Sequence, residues 1–411
     1  MNAPLAYCRP QARSPSRPRM ETTSFALSGE APSSLPLVVF SHLRWDFVYQ
    51  RPQHVLSRLA ARRRVLFVEE PAHGEGEPRW EKRRVLPNLT VCRPMTPSEA
   101  PGYAAEQLPY LADLMERLQN EEGVVRCVAW FYTPMAYPLL ATLGAEAVVY
   151  DCMDELSLFK FAPPDLLAHE RALLARADLV LTGGPSLYRA KRDLHPNVHC
   201  FPSSVEVEHF AQARHGGPAL GEPPSQAPIP RPRLGYFGVI DERMDLPLIA
   251  AVADARPDWQ LVFVGPVVKI DAGALPRRPN LHYLGGQPYE RLPAFLAGWD
   301  VGLLPFALND HTRFISPTKT LEYMAAEAPI VSTPITDVAE PYGDIVYLGD
   351  TPEAFVAACE RAMTASPAER AARTAGMRRV LAQTSWDATA AAMELCLETA
   401  LVRARSAVLT V

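Results

Sequence analysis

Several loops of the 411-residue sequence gather side chains whose types and spacing suit phosphate and sugar chemistry. The richest is Phe314 to Pro329, FISPTKTLEYMAAEAP. Ser316 is a good N-cap and Pro317 suits the first helical position, so a helix is expected from there, with Leu321, Met324 and Ala325 recurring at helical spacing. The first amides of a helix have no partner within it, and the dipole presents positive potential at that end. A phosphate at Ser316, Pro317 and Thr318 would gain from both, and Lys319 would add an ammonium. Glu322 lies about 40° round the helix from Thr318 and one turn deeper. A carboxylate there could accept from the two hydroxyls of a ribose. The same residues also fit a capped surface helix with Lys319 and Glu322 merely solvated.

The neighbouring loops strengthen the phosphate reading. LGYFGVIDER ends a strand at Phe237, turns at Gly238 and delivers Arg243 just before the next helix, where a guanidinium could pair with a diphosphate. FVGPVVK places Gly265, and HYLGGQPY places Gly285, Gly286 and Gln287, at the ends of the next two strands. Glycine there allows the backbone to approach a flat nucleotide closely, although one glycine at a βα turn is ordinary. No GxGxxG and no GxxxxGK[ST] occurs, so hydride transfer and NTP hydrolysis lose support. In the first half, SHLRWDFVYQRPQH mixes His42, Arg44, Tyr49 and Arg51 with aromatic rings. That combination suits an acceptor sugar, whose apolar faces take rings and whose hydroxyls take polar groups; it also suits a loop packed by its own aromatics. WFYTPM adds Tyr132, and YDCMDELS adds Asp154, which is expected to face the cleft.

These loops need strands to carry them. From Leu35, short apolar runs alternate with amphipathic segments: Leu37 to Ser41, Val65 to Glu69, Leu89 to Cys92, Val124 to Phe131, Ala147 to Tyr150, Leu179 to Thr182 and Val198 to Phe201. Runs apolar throughout mark strands buried on both faces of a parallel sheet, with helices as crossovers. The pattern restarts at Leu234 and includes helices Leu246 to Ala255, Thr318 to Ala326 and Pro352 to Thr364. The expectation is α/β: two Rossmann-like, doubly wound parallel-sheet domains facing a central cleft. Their bounds are 35–214 for the N-terminal domain and 234–385 for the C-terminal domain. An exposed Pro- and Gly-rich linker joins them at 215–233, a tail rich in Pro, Ser and Arg occupies 1–34, and a final helix fills 386–411.

Composition narrows the function. A net charge of -5 and a pI of about 6.1 remove the basic balance a nucleic-acid binder needs, so no nucleic-acid partner is expected. No apolar run is long enough to span a membrane and no signal peptide is apparent, which points to the cytoplasm. The basic runs Arg62 to Arg64 and Lys82 to Arg84 are the candidates for peripheral contact with an anionic membrane face. The 7 cysteines are scattered and read as buried thiols. No metal is expected: there is no zinc-ligand spacing and no DxD triplet, and His195 and His199 flank a proline and cannot share a helix face.

GYFG, FVGP and SPTKTLEYMAAEAPIVST, in this order, resemble the donor domain of the retaining glycosyltransferases of family 4, which have the two-domain GT-B fold. SHLRWDFVYQRPQHVLSRLA, VLFVEEP and VVYDCMDELS resemble a subgroup of cell-surface polysaccharide or teichuronic-acid-type enzymes. The resemblance covers most of residues 37–400. It implies transfer of a sugar from a nucleotide-diphosphate donor, UDP-sugar favoured, to a glycan or lipid-linked acceptor, with retention, without a cofactor beyond the nucleotide-sugar, and with the last helix packed back across the domain boundary. In this reading Arg243, Lys319 and Asp154 are catalytic. Gly238, Gly265, Gln287, Ser316, Pro317, Thr318 and Glu322 bind the donor, and His42, Arg44, Tyr49, Arg51 and Tyr132 bind the acceptor. Two positions depart from the family pattern. Phe314 stands where the first of two glutamates is usual, leaving Asp310, His311 or backbone amides to reach the sugar. Glu327 replaces a glycine, which questions the tightness of the next turn. A nucleotide-sugar epimerase of the same fold, or a non-catalytic subunit that binds the nucleotide-sugar, are the alternatives.

Overall fold

A computed structural model describes residues 35–214 and 220–408. The expected tail at 1–34, the linker residues 215–219 and the terminus 409–411 lie outside the described residues. Within them, two sheets account for every named strand. The N-terminal sheet contains β1 (Leu37–Phe40), β2 (Val65–Val68), β3 (Ala72–His73), β4 (Arg79–Leu86), β5 (Leu89–Thr96), β6 (Cys127–Phe131), β7 (Ala145–Cys152), β8 (Leu179–Thr182) and β9 (Val198–Cys200). Its order is β3-β5-β2-β1-β6-β7-β8-β9, parallel throughout, with β4 added antiparallel to β5. The C-terminal sheet contains β10 (Arg233–Phe237), β11 (Gln260–Val264), β12 (Leu281–Tyr283), β13 (Val301–Leu304), β14 (Ile330–Ser332) and β15 (Tyr347–Leu348), in the order β12-β11-β10-β13-β14-β15. Strand order reverses between β1 and β6 in one sheet and between β10 and β13 in the other. Ligands of open parallel sheets settle at such reversals, outside the carboxyl ends of the strands. The loops after β1, β6, β10 and β13 are therefore the ones placed to form a site.

The buried faces explain the elements. Strands β1, β2, β6, β8 and β13 are buried along their whole length, as a sheet covered by helices on both faces requires. β4, RWEKRRVL, lies outside the expected strands: it is mostly exposed, has no apolar run, and pairs only at the edge. That placement uses up its charge, because Lys82 bonds Glu121 and Glu122 at 2.9 and 2.8 Å and Arg83 pairs with Asp46. Arg64 pairs with Glu122, and Arg63 is buried against Glu394 at 2.7 Å and Glu398. Arg63, Arg64, Lys82 and Arg83 of the two basic runs are thus paired with carboxylates of this chain. No helix among the described residues is long and apolar enough to cross a membrane.

The domain boundary falls earlier than expected. Val205, Phe210 and Ala213 already belong to the C-terminal core. The second half of the stretch read as an exposed linker is mostly exposed but pinned at Pro223, Gln226, Ile229 and Arg233, where Gln226 is buried and bonds Phe295 O at 3.0 Å and the Trp299 indole at 2.8 Å. The last helix, Trp386–Val408, returns to the N-terminal domain, where Trp386, Met393, Leu397 and Leu401 share a core with Leu37, Val65 and Leu56. Arg63, whose side chain is 1% exposed, fastens this helix through Glu394 and Glu398. Arg63→Ala would remove a buried side chain and its pairing with Glu394, while Glu398 stays solvated, so it should lower the unfolding free energy by about 1–2 kcal/mol. A denaturant titration checks this, and a midpoint equal to that of the parent would show that the helix is held by its apolar face alone.

Candidate functional site

The floor of the site is backbone. Gly238 N donates to Val264 O and Gly265 N to Gly285 O, each at 2.9 Å, so the ends of β10, β11 and β12 form one shelf. Gly265 has φ 156°, and a Cβ there would sit 1.8 Å from Gly238 O. Gly238, at φ 139°, would place a Cβ 2.3 Å from Lys319 Cε. Only glycine lets these strand ends touch and lets Lys319 lie across them. Gln287 sits beyond the shelf, tied by its amide to Leu284 O at 3.2 Å.

The helix Thr318–Ala325 meets this shelf, but its start differs from expectation. Pro317, not Ser316, is the N-cap, and no side chain caps it. Ser316 is used elsewhere: its carbonyl accepts from Ser203 Oγ at 3.3 Å, and Gly184 of the N-terminal domain packs on its side chain. With Thr320 N bonded to Pro317 O at 3.1 Å, the amides of Thr318 and Lys319 have no acceptor among the described residues. At the other end Glu327 takes φ 56°, the left-handed conformation a glycine would supply. Glu327 N reaches Met324 O at 2.9 Å and Ala328 N reaches Tyr323 O at 3.1 Å, and Arg378 holds the Glu327 side chain at 2.9 and 3.1 Å. The turn is as tight as with glycine.

Charged groups from both domains meet above the shelf. Asp241 grips Arg243 through Nε and Nη2 at 2.9 and 2.7 Å. Lys319 makes no ion pair within 4 Å among the described residues; burial lowers its pKa, with Glu322 opposing and Arg243 adding to the effect. Glu322 is 7% exposed, and burial pushes its carboxyl up to about 7 against the pull of Lys319. Asp154 reaches this group from the other domain. Burial raises its pKa, while Arg243 and Lys269 draw it back down, which places the carboxylate among the cations of the opposite sheet. His42 is close by: burial and the Lys269 charge bring its pKa down to about 4, and its Nδ1 is buried without a partner.

The structure therefore brings together Gly238, Gly265, Arg243, Thr318, Lys319, Glu322, Asp154 and His42. It sets other expected residues apart. Arg51 is buried, bonded to Asp151 at 3.1 and 2.8 Å and to Phe201 O at 2.6 Å, so its donors are spent inside the N-terminal domain. Tyr132 is 1% exposed and lies in the same buried group. Arg44 is committed to Glu69 at 3.2 Å and to the Glu70 and Pro71 carbonyls. Arg51 and Arg44 are drawn toward partners distant in sequence, and the Tyr132 hydroxyl is buried without a hydrogen-bond partner. Tyr49 stays 39% exposed and leans on Tyr289 of the other domain at 5.2 Å. Asp310 is exposed and His311 donates to Leu158 O. Phe314 packs on the N-terminal core. The residues that sequence reasoning misses are Lys269 and Asp241. Lys269 has φ 60°, unusual for a non-glycine, and no local sequence signal announces it. Asp241 stands within LGYFGVIDER, two residues before Arg243.

Known proteins add to this geometry. Residues 231–365 match the family profile described as Glycosyl transferases group 1. A Bacillus subtilis (strain 168) protein, whose name places it in teichuronic acid biosynthesis as a glycosyltransferase, is 27% identical over 284 residues, 64% of this chain and 69% of its own. Sucrose-phosphate synthase from Thermosynechococcus elongatus superposes with a TM-score of 0.68 at 17% identity, over 90% of this chain and 100% of its own. The UDP-forming trehalose-phosphate synthase of Burkholderia vietnamiensis superposes with a TM-score of 0.63 at 14% identity, over 89% and 100%. The fold is that of the GT-B glycosyltransferases, and the resemblance read in the sequence holds at the level of a group 1 glycosyl transferase match and that fold.

Glu322 supplies a pH test. Well below pH 4.5 it is protonated whether the chain is folded or not; as pH rises from there to about 7 the unfolded chain gives up the proton before the folded one does, so stability falls over that range and levels off above it. Glu322→Gln should therefore match the parent at low pH and exceed it at pH 8, by on the order of 2–3 kcal/mol. Melting curves at pH 4.5, 6 and 8 check this, and a constant difference across them would show that Glu322 does not titrate in this range.

Proposed function

We propose that this chain, with a group 1 glycosyl transferase match in its C-terminal domain and a GT-B fold, is a retaining glycosyltransferase of the family 4 kind. It would move a sugar from a nucleotide-diphosphate donor, UDP-sugar favoured, to a hydroxyl of a glycan or lipid-linked acceptor in cell-surface polysaccharide synthesis, in the cytoplasm. The observation that carries this reading is the meeting of Arg243, Lys319 and the unpartnered Thr318 and Lys319 amides with Glu322 over a glycine shelf. Diphosphate oxygens would take the cations and amides, and the ribose hydroxyls would take Glu322. Charge grows on the leaving diphosphate in the transition state, so groups fixed there in advance lower the barrier. The role a divalent ion plays in other folds is assigned here to Arg243, Lys319 and the helix start. Asp154 would face the sugar across the cleft, with His42 beside it, and the acceptor would enter between these two and Tyr49. A binding subunit without turnover is the second reading, favoured by Phe314, whose ring replaces a carboxylate and packs on the other domain.

A thermal shift of the purified protein against UDP, GDP and ADP tests the donor site, with Glu322→Ala as control. Ligand at about 100 times its dissociation constant adds roughly 2.7 kcal/mol. A shift with one nucleotide that is lost in the variant supports the reading, and no shift with any of them overturns it. Arg243→Ala and Lys319→Ala should each reduce kcat more than they raise KM in assays with the nucleotide-sugar so identified. A change confined to KM would remove them from the charge-stabilising role.

A further inference from the structure

We propose that Phe159, on the N-terminal domain, is a positioning residue for the diphosphate site of the C-terminal domain. Its ring packs against Arg243 and Lys269 and fixes the guanidinium with one edge free for phosphate. The inference rests on the donor-site reading above. The ring centroid lies 5.8 Å from Arg243 Cζ and 4.5 Å from Lys269 Nζ, so one aromatic ring serves two cations of the opposite domain. Such contacts contribute about 0.5–2 kcal/mol each, more when water is excluded.

The loop that carries Phe159 is braced at both ends. At its root, buried Lys191 bonds Glu155 at 2.7 Å and Glu170 at 2.8 Å, and Ser157 and Tyr150 each donate to one of these carboxylates at 2.8 Å. At its tip, Leu158 O accepts from His311 of the C-terminal domain. The ring is thus delivered by a fixed arm.

The cations beneath it are equally constrained. Asp241 takes Nε and Nη2 of Arg243, and among the described residues no acceptor is bonded to Nη1. A guanidinium with one edge on a carboxylate and a ring against it has a single remaining edge to offer. Lys269 is held at φ 60° by the bridge between Ile240 and Val267 and by the Val268 N to Ile240 O bond of 3.0 Å. Its contact with Glu242 is a loose 3.7 Å, so the ring is its main support. Losing the ring would free Lys269 to swing and leave Arg243 held by Asp241 alone, with its Nη1 edge no longer backed by the ring, which should weaken the contact with the outer phosphate and leave the nucleoside contacts alone.

Calorimetric titration of UDP and UMP, and of GDP and GMP, separates these effects without needing the sugar or the acceptor. The parent should prefer the diphosphate of one base. Phe159→Ala should cut that preference about 3- to 10-fold, with the monophosphate affinity within about twofold of the parent. Phe159→Trp should restore the preference, and Arg243→Ala should lose more of it. A ring that only joins the domains would weaken mono- and diphosphate alike. If Phe159→Ala melts too low to titrate, Phe159→Leu keeps the apolar cover without the ring and should show the same loss. An unchanged diphosphate preference in the alanine or leucine variant overturns the role of Phe159 and leaves the donor site standing. A parent that binds none of the four nucleotides overturns both.

Discussion

The close approach of the backbone at the ends of β10 and β11 is the constraint on which the site depends. A side chain at Gly265 would collide with the Gly238 carbonyl, and one at Gly238 would collide with Lys319. Since both residues hold φ values that other residues rarely adopt, space and conformation make the same demand. That contact leaves a flat surface at the carboxyl edge of the sheet, with the helix Thr318–Ala325 laid against it. Lys319 and Glu322 are then buried because the shelf and helix leave little room, and their shifted pKa values are consequences of that packing. A carboxylate that sits near its own pKa at neutral pH is a poor contributor to stability. Its presence here is better explained by a ligand whose hydroxyls would complete its hydrogen bonds.

Charge in the cleft is balanced across the two sheets more than within either. Arg243 is matched within its own loop by Asp241, whereas Asp154 finds its cations on the other domain and His42 is kept neutral partly by Lys269. Phe159 and Leu158 add a ring and a carbonyl to the same crossing. Farther along the boundary, Asp337 accepts from Ser186 N at 3.0 Å, and His54 stacks on Trp386 at 4.5 Å. The N-terminal domain therefore supplies parts that the C-terminal site lacks. Any opening of the cleft would separate acid from cation before it exposed either core.

Much of this is legible in the sequence, and the exceptions have physical reasons. Helices Leu246–Ala255 and Pro352–Thr364 are found where apolar spacing and a proline in the first turn place them. The three glycine turns stand out because glycine at successive strand ends has a steric meaning. β4 is illegible because an edge strand paired on one side can be charged throughout. Arg51 reads as a surface ligand because its partner Asp151 is 100 residues away. The boundary near Val205 is hidden by a Pro-rich stretch whose composition resembles a linker although it is pinned at buried Gln226, and Ser316 is misplaced because its carbonyl is recruited by Ser203. Lys269 gives no signal, since its importance comes from a left-handed backbone and from an opposite domain.

Phe314 is shaped by the same meeting of domains. A carboxylate at that position would have to sit beside an apolar surface of the N-terminal domain, where burial without a partner is costly. The ring instead joins the apolar cluster that contains Met135, Ala136 and Leu156, and Leu156 opens the turn that leads to Phe159. Two residues before that turn stands Asp154, the carboxylate that enters the cation group. Replacing a charge by a ring on one side of the cleft therefore helps seat the loop that brings a charge from the other. The ring at 314 and the Asp154 carboxylate are thus seated by the same crossing, and the position of each is a property of how the two domains meet.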